Sequence, residues 1–206
     1  MIIGIVGFIG SGKGTVGDYL NQEWGFEKDS FAKPLKDAVS IIFGWDRDML
    51  EGKTDKSREW REKVDAYWSN AIGRMVTPRL VLQLFGTECI RNVFHPNVWS
   101  ASLINRCKTD TVVTDCRFRN EVQAIKDAEG LVFRVKRGHE PEWMDLYLEL
   151  YNSENWHQIE KHREDGIIPH VSETDWIGSE FDYVIENDGT LDELYCKIDL
   201  IMERHG

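Results

Sequence analysis

The sequence has few of the residues on which several protein classes depend. Its four cysteines, Cys89, Cys107, Cys116 and Cys196, include no Cys-x-x-Cys pair and show no regular spacing. This pattern argues against a disulfide framework and favours a reducing compartment. The six histidines do not accompany these cysteines at the spacing of metal ligands, so no metal-cluster motif is indicated.

Long apolar runs and positive charge are also scarce. The longest apolar run, residues 2–9, is far shorter than the roughly twenty residues that span a bilayer. The amino terminus has no basic region and no signal-peptide core of the usual kind. With a formal net charge of -11, the surface as a whole does not suit DNA or another polyanion. We therefore expect a cytoplasmic protein without a membrane or nucleic-acid partner, although a local cleft could still bind a small anion.

The strongest signal is the glycine-rich stretch GFIGSGKGT at residues 7–15. It follows an apolar, β-branched run and precedes a segment that can form a helix, which is the context of a phosphate-binding P-loop. Glycines let successive backbone N–H groups point into one concavity, and Lys13 adds a full positive charge. The pattern G-x-x-x-x-G-K-[ST] fails only at its last position, where Gly14 precedes Thr15. A glycine-rich turn without a ligand is the alternative.

Apolar periodicity predicts the rest of the architecture. Residues 110–115, 117–129 and 131–136 have the patterns of strand, helix and strand, with Gly130 ending the helix, and this βαβ unit predicts a parallel sheet. Further helices are predicted at 32–43, 55–70, from Pro78 onward, and after a capping box at Thr190. The last helix should bury Leu191, Leu194, Ile198 and Ile201. The expected fold is a three-layer α/β P-loop kinase fold, a central, mostly parallel sheet flanked by helices.

The length of 206 residues predicts a single domain, residues 1–206, with two helical insertions. The acceptor-side insertion, about 46–75, is dense in charge, and its apolar positions are mostly aromatic. A solvated helix docked by those aromatics is as consistent with this composition as direct ligand contact. The lid-like insertion, about 138–180, could form a mobile cover over a site or a plain surface helix.

Seven separated segments resemble one family, the bacteriophage deoxynucleoside monophosphate kinases, a branch of the P-loop nucleotide kinases. The specific motifs are Gln-x-x-Gly-Thr-Glu at 83–88 and Asp-x-Arg-x-x-Asn-Glu at 115–121. The other matching segments are 7–15, 31–37, Trp99, 170–173 and 184–194.

The resemblance implies transfer of the γ-phosphate of ATP, with Mg²⁺, to a deoxynucleoside monophosphate for DNA precursor synthesis. It also implies a homodimer, located in the host cytoplasm if the protein is phage-encoded. Two rival functions remain open. One is a P-loop kinase of another acceptor such as dephospho-coenzyme A, and the other is a non-catalytic ATP-binding module.

On the donor side, the resemblance assigns residues to three tasks. The ATP phosphates would be bound by Gly10, Ser11, Gly12, Lys13, Gly14 and Thr15. The adenine would contact the turn of Asn187, Asp188 and Gly189, for which a simple turn before a helix is the alternative. Thr15 and Asp115 would hold Mg²⁺ through water, and Asp115 could instead cap a helix.

On the acceptor side, the resemblance implies a larger set of residues. The deoxynucleoside monophosphate would be bound by Lys33, Lys36, Asp37, Trp68, Arg79, Gln83, Gly86, Thr87, Glu88, Arg91, Trp99, Arg117, Asn120 and Glu121. Lys33, Lys36 and Asp37 could equally be an ordinary charged helix face, and Arg117 could pair with Glu121. Gly86 inside a helix suggests close approach by a ligand or another backbone. The expected catalytic residues are Lys13, Arg117, Arg134 and Arg137, and Arg163 is another candidate for a lid arginine.

Overall fold

The computed structural model describes residues 1–205. In chain order its elements are β1 (Ile2–Val6), α1 (Lys13–Glu23), β2 (Glu27–Asp29), α2 (Lys33–Phe43), α3 (Arg47–Glu51), α4 (Asp55–Glu62), α5 (Ala66–Ile72), α6 (Pro78–Gln83), a π-helix (Leu84–Arg91), α7 (Val98–Arg106), β3 (Thr111–Val113), α8 (Arg119–Asp127), β4 (Leu131–Lys136), α9 (Trp143–Asn152), α10 (Trp156–Glu164), α11 (Val171–Thr174), β5 (Tyr183–Glu186) and α12 (Leu191–Met202). Among residues 1–205, every helix is too short or too polar to traverse a lipid bilayer.

The chain divides into two compact units. The first, which we call the sheet unit, comprises Met1–Ser30 and Leu103–Gly206. The second, which we call the helical unit, comprises Phe31–Ser102 and therefore contains the predicted acceptor-side insertion. The single domain expected from the sequence stays a prediction.

All strands of the sheet unit form one parallel sheet in the order β2-β3-β1-β4-β5. Along β1, Ile3 and Ile5 are fully buried in a core with residues of α1 and α12. Gly4, between them, faces α8, because a Cβ at Gly4 would lie 2.3 Å from Ile125 Cδ1. Successive residues of a strand point to opposite faces, so helices cover both faces of the sheet. The predicted three-layer α/β fold is confirmed.

The position of β1 explains where a ligand could bind. β1 lies between β3 and β4, and α1 leaves it on the face opposite α8. Where helices diverge in this way, the loops at the carboxyl ends of parallel strands separate and leave a crevice. The glycine-rich loop after β1 lies at this edge of the sheet.

Several predicted helix ends are confirmed. The Thr77 side chain caps α6 by accepting a hydrogen bond from the Leu80 N–H at 3.1 Å. Gly44 ends α2 in the left-handed conformation, with a φ of 67°. The capping box before α12 is present, because Glu193 Oε2 accepts from the Thr190 N–H at 2.8 Å and Thr190 Oγ1 accepts from the Glu193 N–H at 3.3 Å.

The helix predicted over 55–70 is wrong, because the chain breaks between α4 and α5. Asp65 caps the second helix by accepting from the Trp68 N–H at 2.9 Å. The same carboxylate accepts from Trp45 Nε1 at 2.8 Å, which ties the break to the aromatic core. Aspartate is a strong N-cap, and this local preference overrides the apolar stripe that suggested one continuous helix.

Two details of the predicted packing are also corrected. Leu191 is 57% exposed, whereas Met202 at the other end of α12 is buried with Leu194. At the end of α8, the left-handed residue is Glu129, with a φ of 57°, rather than Gly130. Gly130 is required for another reason, since a Cβ there would lie 2.6 Å from the Ile2 carbonyl oxygen.

The core of the helical unit is built largely from aromatic rings. Phe43 stacks on Trp45 with a centroid distance of 4.6 Å and contacts Trp68 at 4.8 Å. The Trp68 indole N–H donates to the Phe43 carbonyl at 3.0 Å. Trp68 therefore has a packing role, which supports the interpretation that the insertion is docked by its aromatics.

Candidate phosphate-binding site

The loop after β1 has a backbone that only glycine adopts easily. Gly7, Gly10 and Gly12 have φ angles of 144°, 80° and 103°. A Cβ at Gly7 would lie 2.3 Å from the Val135 carbonyl oxygen, and one at Gly12 would lie 2.3 Å from Asn187 Nδ2. Gly12 also begins α1, so the first N–H groups of that helix open onto the loop. The loop thus packs closely on neighbouring segments at Gly7 and Gly12, and it adjoins the first N–H groups of α1.

The turn after β5 holds this loop in shape. Asn187 Nδ2 donates to the Ser11 carbonyl at 2.8 Å, and the Asn187 N–H donates to the Lys136 carbonyl at 2.7 Å. Asp188 Oδ1 accepts from the Gly138 N–H at 2.6 Å. Asn187 and Asp188, two residues of the turn expected to contact adenine, therefore join the glycine-rich loop and the segment after β4 to the last strand.

Lys13 folds back onto its own loop. Its Nζ donates to the carbonyls of Gly7 at 2.7 Å and Phe8 at 2.8 Å. Burial and the nearby Arg117 lower the pKa of Lys13 from 10.5 to about 8, while Glu173 opposes this shift. The ammonium is still mostly protonated at neutral pH, and phosphate oxygens could replace the two carbonyl acceptors.

A narrow cleft brings three charged side chains together. Lys13, Arg117 and Glu173 line it, and its remaining lining residues are Gly7, Phe8, Ile9, Cys116, Ser172 and Trp176. Complete burial raises the pKa of Cys116 well above its ordinary value, so this thiol stays protonated and unreactive. The chemistry available in the cleft is therefore electrostatic, with two cations and one carboxylate facing the same space.

Glu121 shapes the segment that carries Arg117. Its carboxylate is only 2% exposed, and Oε2 accepts from the Arg117 N–H at 2.9 Å and the Phe118 N–H at 3.1 Å. From the sequence, Arg117 could pair with Glu121 through its side chain. The structure shows a hydrogen bond from the Arg117 backbone N–H to the Glu121 carboxylate. Asn120 lies between them in the first turn of α8.

We expect Glu121→Ala to lower the free energy of unfolding by about 2 kcal/mol, because two partly buried N–H groups would lose their acceptor. Glu121→Gln, which retains one carbonyl oxygen, should cost less. Urea denaturation of both variants measures this, with Gln123→Ala on the exposed face of α8 as the control. A Glu121→Ala protein as stable as the control would contradict this role.

The two arginines expected near the lid differ in their surroundings. Arg134 forms an ion pair with Glu140, and its guanidinium lies over the Trp176 ring at 5.3 Å from the centroid. Arg137 is exposed and lines a small depression beside the glycine-rich loop, together with Ser11 and His139. The contacts of Arg134 indicate a packing role, whereas Arg137 remains available to a ligand.

Arg163 is held within the lid-like insertion. It pairs with Glu160, and its Nη2 donates to Thr174 Oγ1 at 3.0 Å. Its Nε donates to the Pro169 carbonyl at 3.3 Å. These contacts attach α10 to the end of α11 and to the segment before it, rather than leaving the guanidinium extended into solvent.

Two side chains, those of Thr15 and Asp115, are the predicted metal ligands. Thr15 lies in the first turn of α1, and Asp115 follows β3. Within residues 1–205, no group of three or more histidine, cysteine, aspartate or glutamate side chains could hold a metal ion. One hydroxyl and one carboxylate suit Mg²⁺, which keeps several waters and takes further oxygens from phosphates.

Most residues expected to bind the acceptor lie in the helical unit, and several form ion pairs or hydrogen bonds within that unit. Lys36 Nζ pairs with Glu51 at 2.7 Å, and Asp37 pairs with Arg47. Two further polar contacts join Arg79 to Glu62 at 2.8 Å and Glu88 to Asn92 at 3.0 Å. Lys33 opens α2, and Gln83 ends α6. Arg117, Asn120 and Glu121 belong to the sheet unit.

The π-helix was not predicted from the sequence. It contains Gly86, Thr87, Glu88 and Arg91, and the N–H that follows it at Asn92 donates to the Thr87 carbonyl at 2.8 Å. Such helices are rare in proteins, and those that do occur are often found at functional sites.

Gly86 is the point of closest packing in the π-helix. A Cβ there would lie 2.8 Å from Leu35 Cδ2, and its carbonyl accepts from Trp99 Nε1 at 2.9 Å. The close approach expected at Gly86 is thus made by side chains of the same unit.

Sequence reasoning also missed Arg119. Its N–H donates to Asp175 Oδ2 at 2.9 Å, and its guanidinium donates to the Ile177 carbonyl and lies 3.8 Å from the centroid of the Tyr151 ring. Arg119 thereby attaches the start of α8 to the lid-like insertion. No local pattern signals these contacts, because the partners lie far away in the sequence.

Comparison with known proteins adds two relatives. A protein of Acanthamoeba polyphaga mimivirus, named "Putative deoxynucleotide monophosphate kinase", is 32% identical over 152 residues, which cover 66% of this chain and 74% of that protein. The deoxynucleoside-5′-monophosphate kinase of Escherichia phage T5 is 24% identical, over 64% of this chain and 74% of that protein. No family model matches the chain.

Among solved structures, shikimate kinase from Aquifex aeolicus aligns with a TM-score of 0.44 and 16% identity, over 100% of this chain and 98% of that one.

Proposed function

Because the chain belongs to the deoxynucleotide monophosphate kinase family, we propose that it transfers the γ-phosphate of ATP to a deoxynucleoside 5′-monophosphate, giving the diphosphate. The family resemblance expected from the sequence is confirmed by the mimivirus and phage relatives. One observation carries the proposal: a glycine-rich loop with free helix amides presents Lys13 to the cleft that Arg117 lines.

In this proposal the donor side is built from the loop itself. Backbone N–H groups of residues 10–15 bind the ATP phosphates, and the Lys13 ammonium leaves the Gly7 and Phe8 carbonyls to contact the outer phosphates. Phosphoryl transfer needs alignment and charge neutralisation more than covalent chemistry from the protein. Asn187 keeps the loop in the shape that this requires, and the turn that it begins is our candidate for adenine contacts.

We assign Arg117 to the acceptor or transferring phosphate. Its planar guanidinium can donate two parallel hydrogen bonds to phosphate oxygens, and it is aimed by a backbone that Glu121 fixes. Arg137 is the best of the three candidate lid arginines, since Arg134 is paired with Glu140 and Arg163 with Glu160. Thr15 and Asp115 would hold Mg²⁺ through water, and the ion would neutralise charge on the transferring phosphate.

The acceptor base and sugar are assigned to residues of the helical unit. The support is the resemblance of the 83–88 motif and the π-helix that contains most of it. The residues proposed are Lys33, Lys36, Asp37, Trp68, Arg79, Gln83, Gly86, Thr87, Glu88, Arg91 and Trp99, together with Asn120 and Glu121 of the sheet unit. The contacts of Trp68 and Glu121 give these two a structural role first.

An acceptor panel tests the proposed function. ADP release would be measured with ATP, Mg²⁺ and each of dGMP, dTMP, dCMP, dAMP and dephospho-coenzyme A. We expect turnover with at least one deoxynucleotide and none above background with dephospho-coenzyme A. Turnover with dephospho-coenzyme A alone would assign another acceptor, and ATP binding without ADP release would indicate a non-catalytic module. The homodimer implied by the family stays a prediction that sedimentation analysis would test.

A further inference from the structure

Glu173 lines the cleft of Lys13 and Arg117, and no role given above uses it. We propose that Glu173 is a positioning residue whose carboxylate serves as a counter-ion for Lys13 and Arg117 before nucleotides bind, and that phosphate oxygens take its place when they arrive. The identity of those phosphates rests on the proposed function, whereas the exchange of one anion for another does not.

The first support is the charge of the cleft. Without Glu173, the charged side chains that line it would be two cations, Lys13 and Arg117. The two cations repel each other, so Arg117 lowers the pKa of Lys13, whereas Glu173 raises it. In a partly buried site such interactions are screened less than at a free surface. A carboxylate at this position therefore lowers the cost of keeping both cations together.

The second support is that the Glu173 carboxylate has no other task. Among residues 1–205, the Glu173 carboxylate makes no hydrogen bond and has no ion pair within 4 Å. The Glu173 side chain is nevertheless only partly exposed. An acid that served only to stabilise α11 would be expected to contact a backbone amide or a basic side chain directly. The acceptor capacity of Glu173 is instead available to the cleft.

The third support is the way in which Glu173 is held near Lys13. The Glu173 carbonyl accepts from Trp176 Nε1 at 2.9 Å. The Trp176 ring is 2% exposed and packs on Phe8 with a centroid distance of 5.0 Å. Phe8 in turn provides a carbonyl to Lys13 at 2.8 Å. One short series of contacts thus fixes the backbone of Glu173 relative to the loop that carries Lys13.

The two residues that follow Glu173 fix the same segment. Thr174 Oγ1 accepts from Arg163 Nη2 at 3.0 Å, and Asp175 Oδ2 accepts from the Arg119 N–H at 2.9 Å. Glu173, two residues after the start of α11, is therefore followed directly by two anchored residues. This arrangement gives the lid-like insertion a defined part in the phosphate site.

A counter-ion that phosphate replaces makes an unusual prediction. Glu173→Gln should bind inorganic tripolyphosphate about 3- to 10-fold more tightly than the wild type, because the cleft gains one net positive charge. The same variant should show kcat within about 2-fold of the wild type, because phosphate oxygens have already replaced Glu173 in the complex that turns over. Glu173→Asp, which retains the charge, should return the tripolyphosphate affinity toward the wild-type value.

The experiment combines calorimetric titration with tripolyphosphate, in the absence of metal and acceptor, with steady-state kinetics. Glu164→Gln, an exposed acid in the same insertion, is the matched control for the change in net charge and should match the wild type in both assays. Weaker or unchanged tripolyphosphate binding by folded Glu173→Gln would overturn the inference. If Glu173→Gln does not fold, Glu173→Asp with wild-type salt dependence of binding would support it, and Glu173→Asp with altered salt dependence would overturn it.

The binding arm does not depend on the acceptor. If the wild type bound tripolyphosphate but transferred phosphate to no deoxynucleotide, the proposed function would fail while the exchange at Glu173 could still be measured.

Discussion

Lys13→Ala is expected to lower kcat/KM for phosphoryl transfer by at least about two orders of magnitude, the scale of losing one preorganised stabiliser. Lys13 supplies the only side-chain cation of the glycine-rich loop. Its ammonium donates to the Gly7 and Phe8 carbonyls, so only a short movement within the loop would bring it to the phosphates. Steady-state kinetics with ATP and the best deoxynucleotide acceptor would measure the effect.

Two comparisons make the Lys13 result interpretable. Lys108→Ala removes one exposed positive charge from the same unit and should leave kcat/KM near the wild-type value. Lys13→Met retains the aliphatic part of the side chain, so an equal loss in both Lys13 variants would assign the effect to the charge. A Lys13→Ala enzyme with nearly full activity would show that this loop is not the donor site.

For Arg117→Ala we expect kcat to fall by about 10²–10³, because an arginine that neutralises the transferring phosphate is worth at least this much in related chemistry. The dissociation constant for ATP should change by less than about 3-fold, since Arg117 is assigned to the acceptor side. The substitution leaves the backbone contact with Glu121 intact, because that contact uses the Arg117 N–H. Turnover and ATP titration on the same preparation would separate the two effects.

The control for Arg117 is Arg204→Ala, which removes an exposed guanidinium after α12. Arg117→Lys retains the charge but loses the planar fork, so it should recover only part of the lost turnover. An equal loss of ATP affinity and of turnover in Arg117→Ala would move this residue to the donor side.

Local sequence signals were sufficient for the parts of the fold that depend on neighbouring residues. The glycine-rich loop was predicted because its glycines, its lysine and the flanking strand lie within fifteen residues of one another. The caps at Thr77 and Thr190 were predicted for the same reason, since each acts on an amide three residues away. The break before α5 could not be predicted from the apolar stripe over residues 55–70, because the stripe continues across the cap at Asp65.

Contacts between distant residues could not be predicted in this way. Nothing in the spacing shows that Asn187 bonds to Ser11 or that Arg119 bonds to Asp175, because these pairs are 176 and 56 residues apart. Glu173 belongs to a matched segment, but only the fold brings it beside Lys13. The π-helix could not be predicted because it differs from an α-helix in its i→i+5 hydrogen bonds, which apolar periodicity over eight residues does not resolve.

The central position of β1 has a consequence for biosynthesis. β1 is synthesised before both of the strands with which it pairs, β3 from Thr111 and β4 from Leu131. Parallel pairing over such sequence separations gives a high contact order and slow folding. During translation the apolar residues of β1 therefore remain unpaired until β3 has been made, about 100 residues later in the chain.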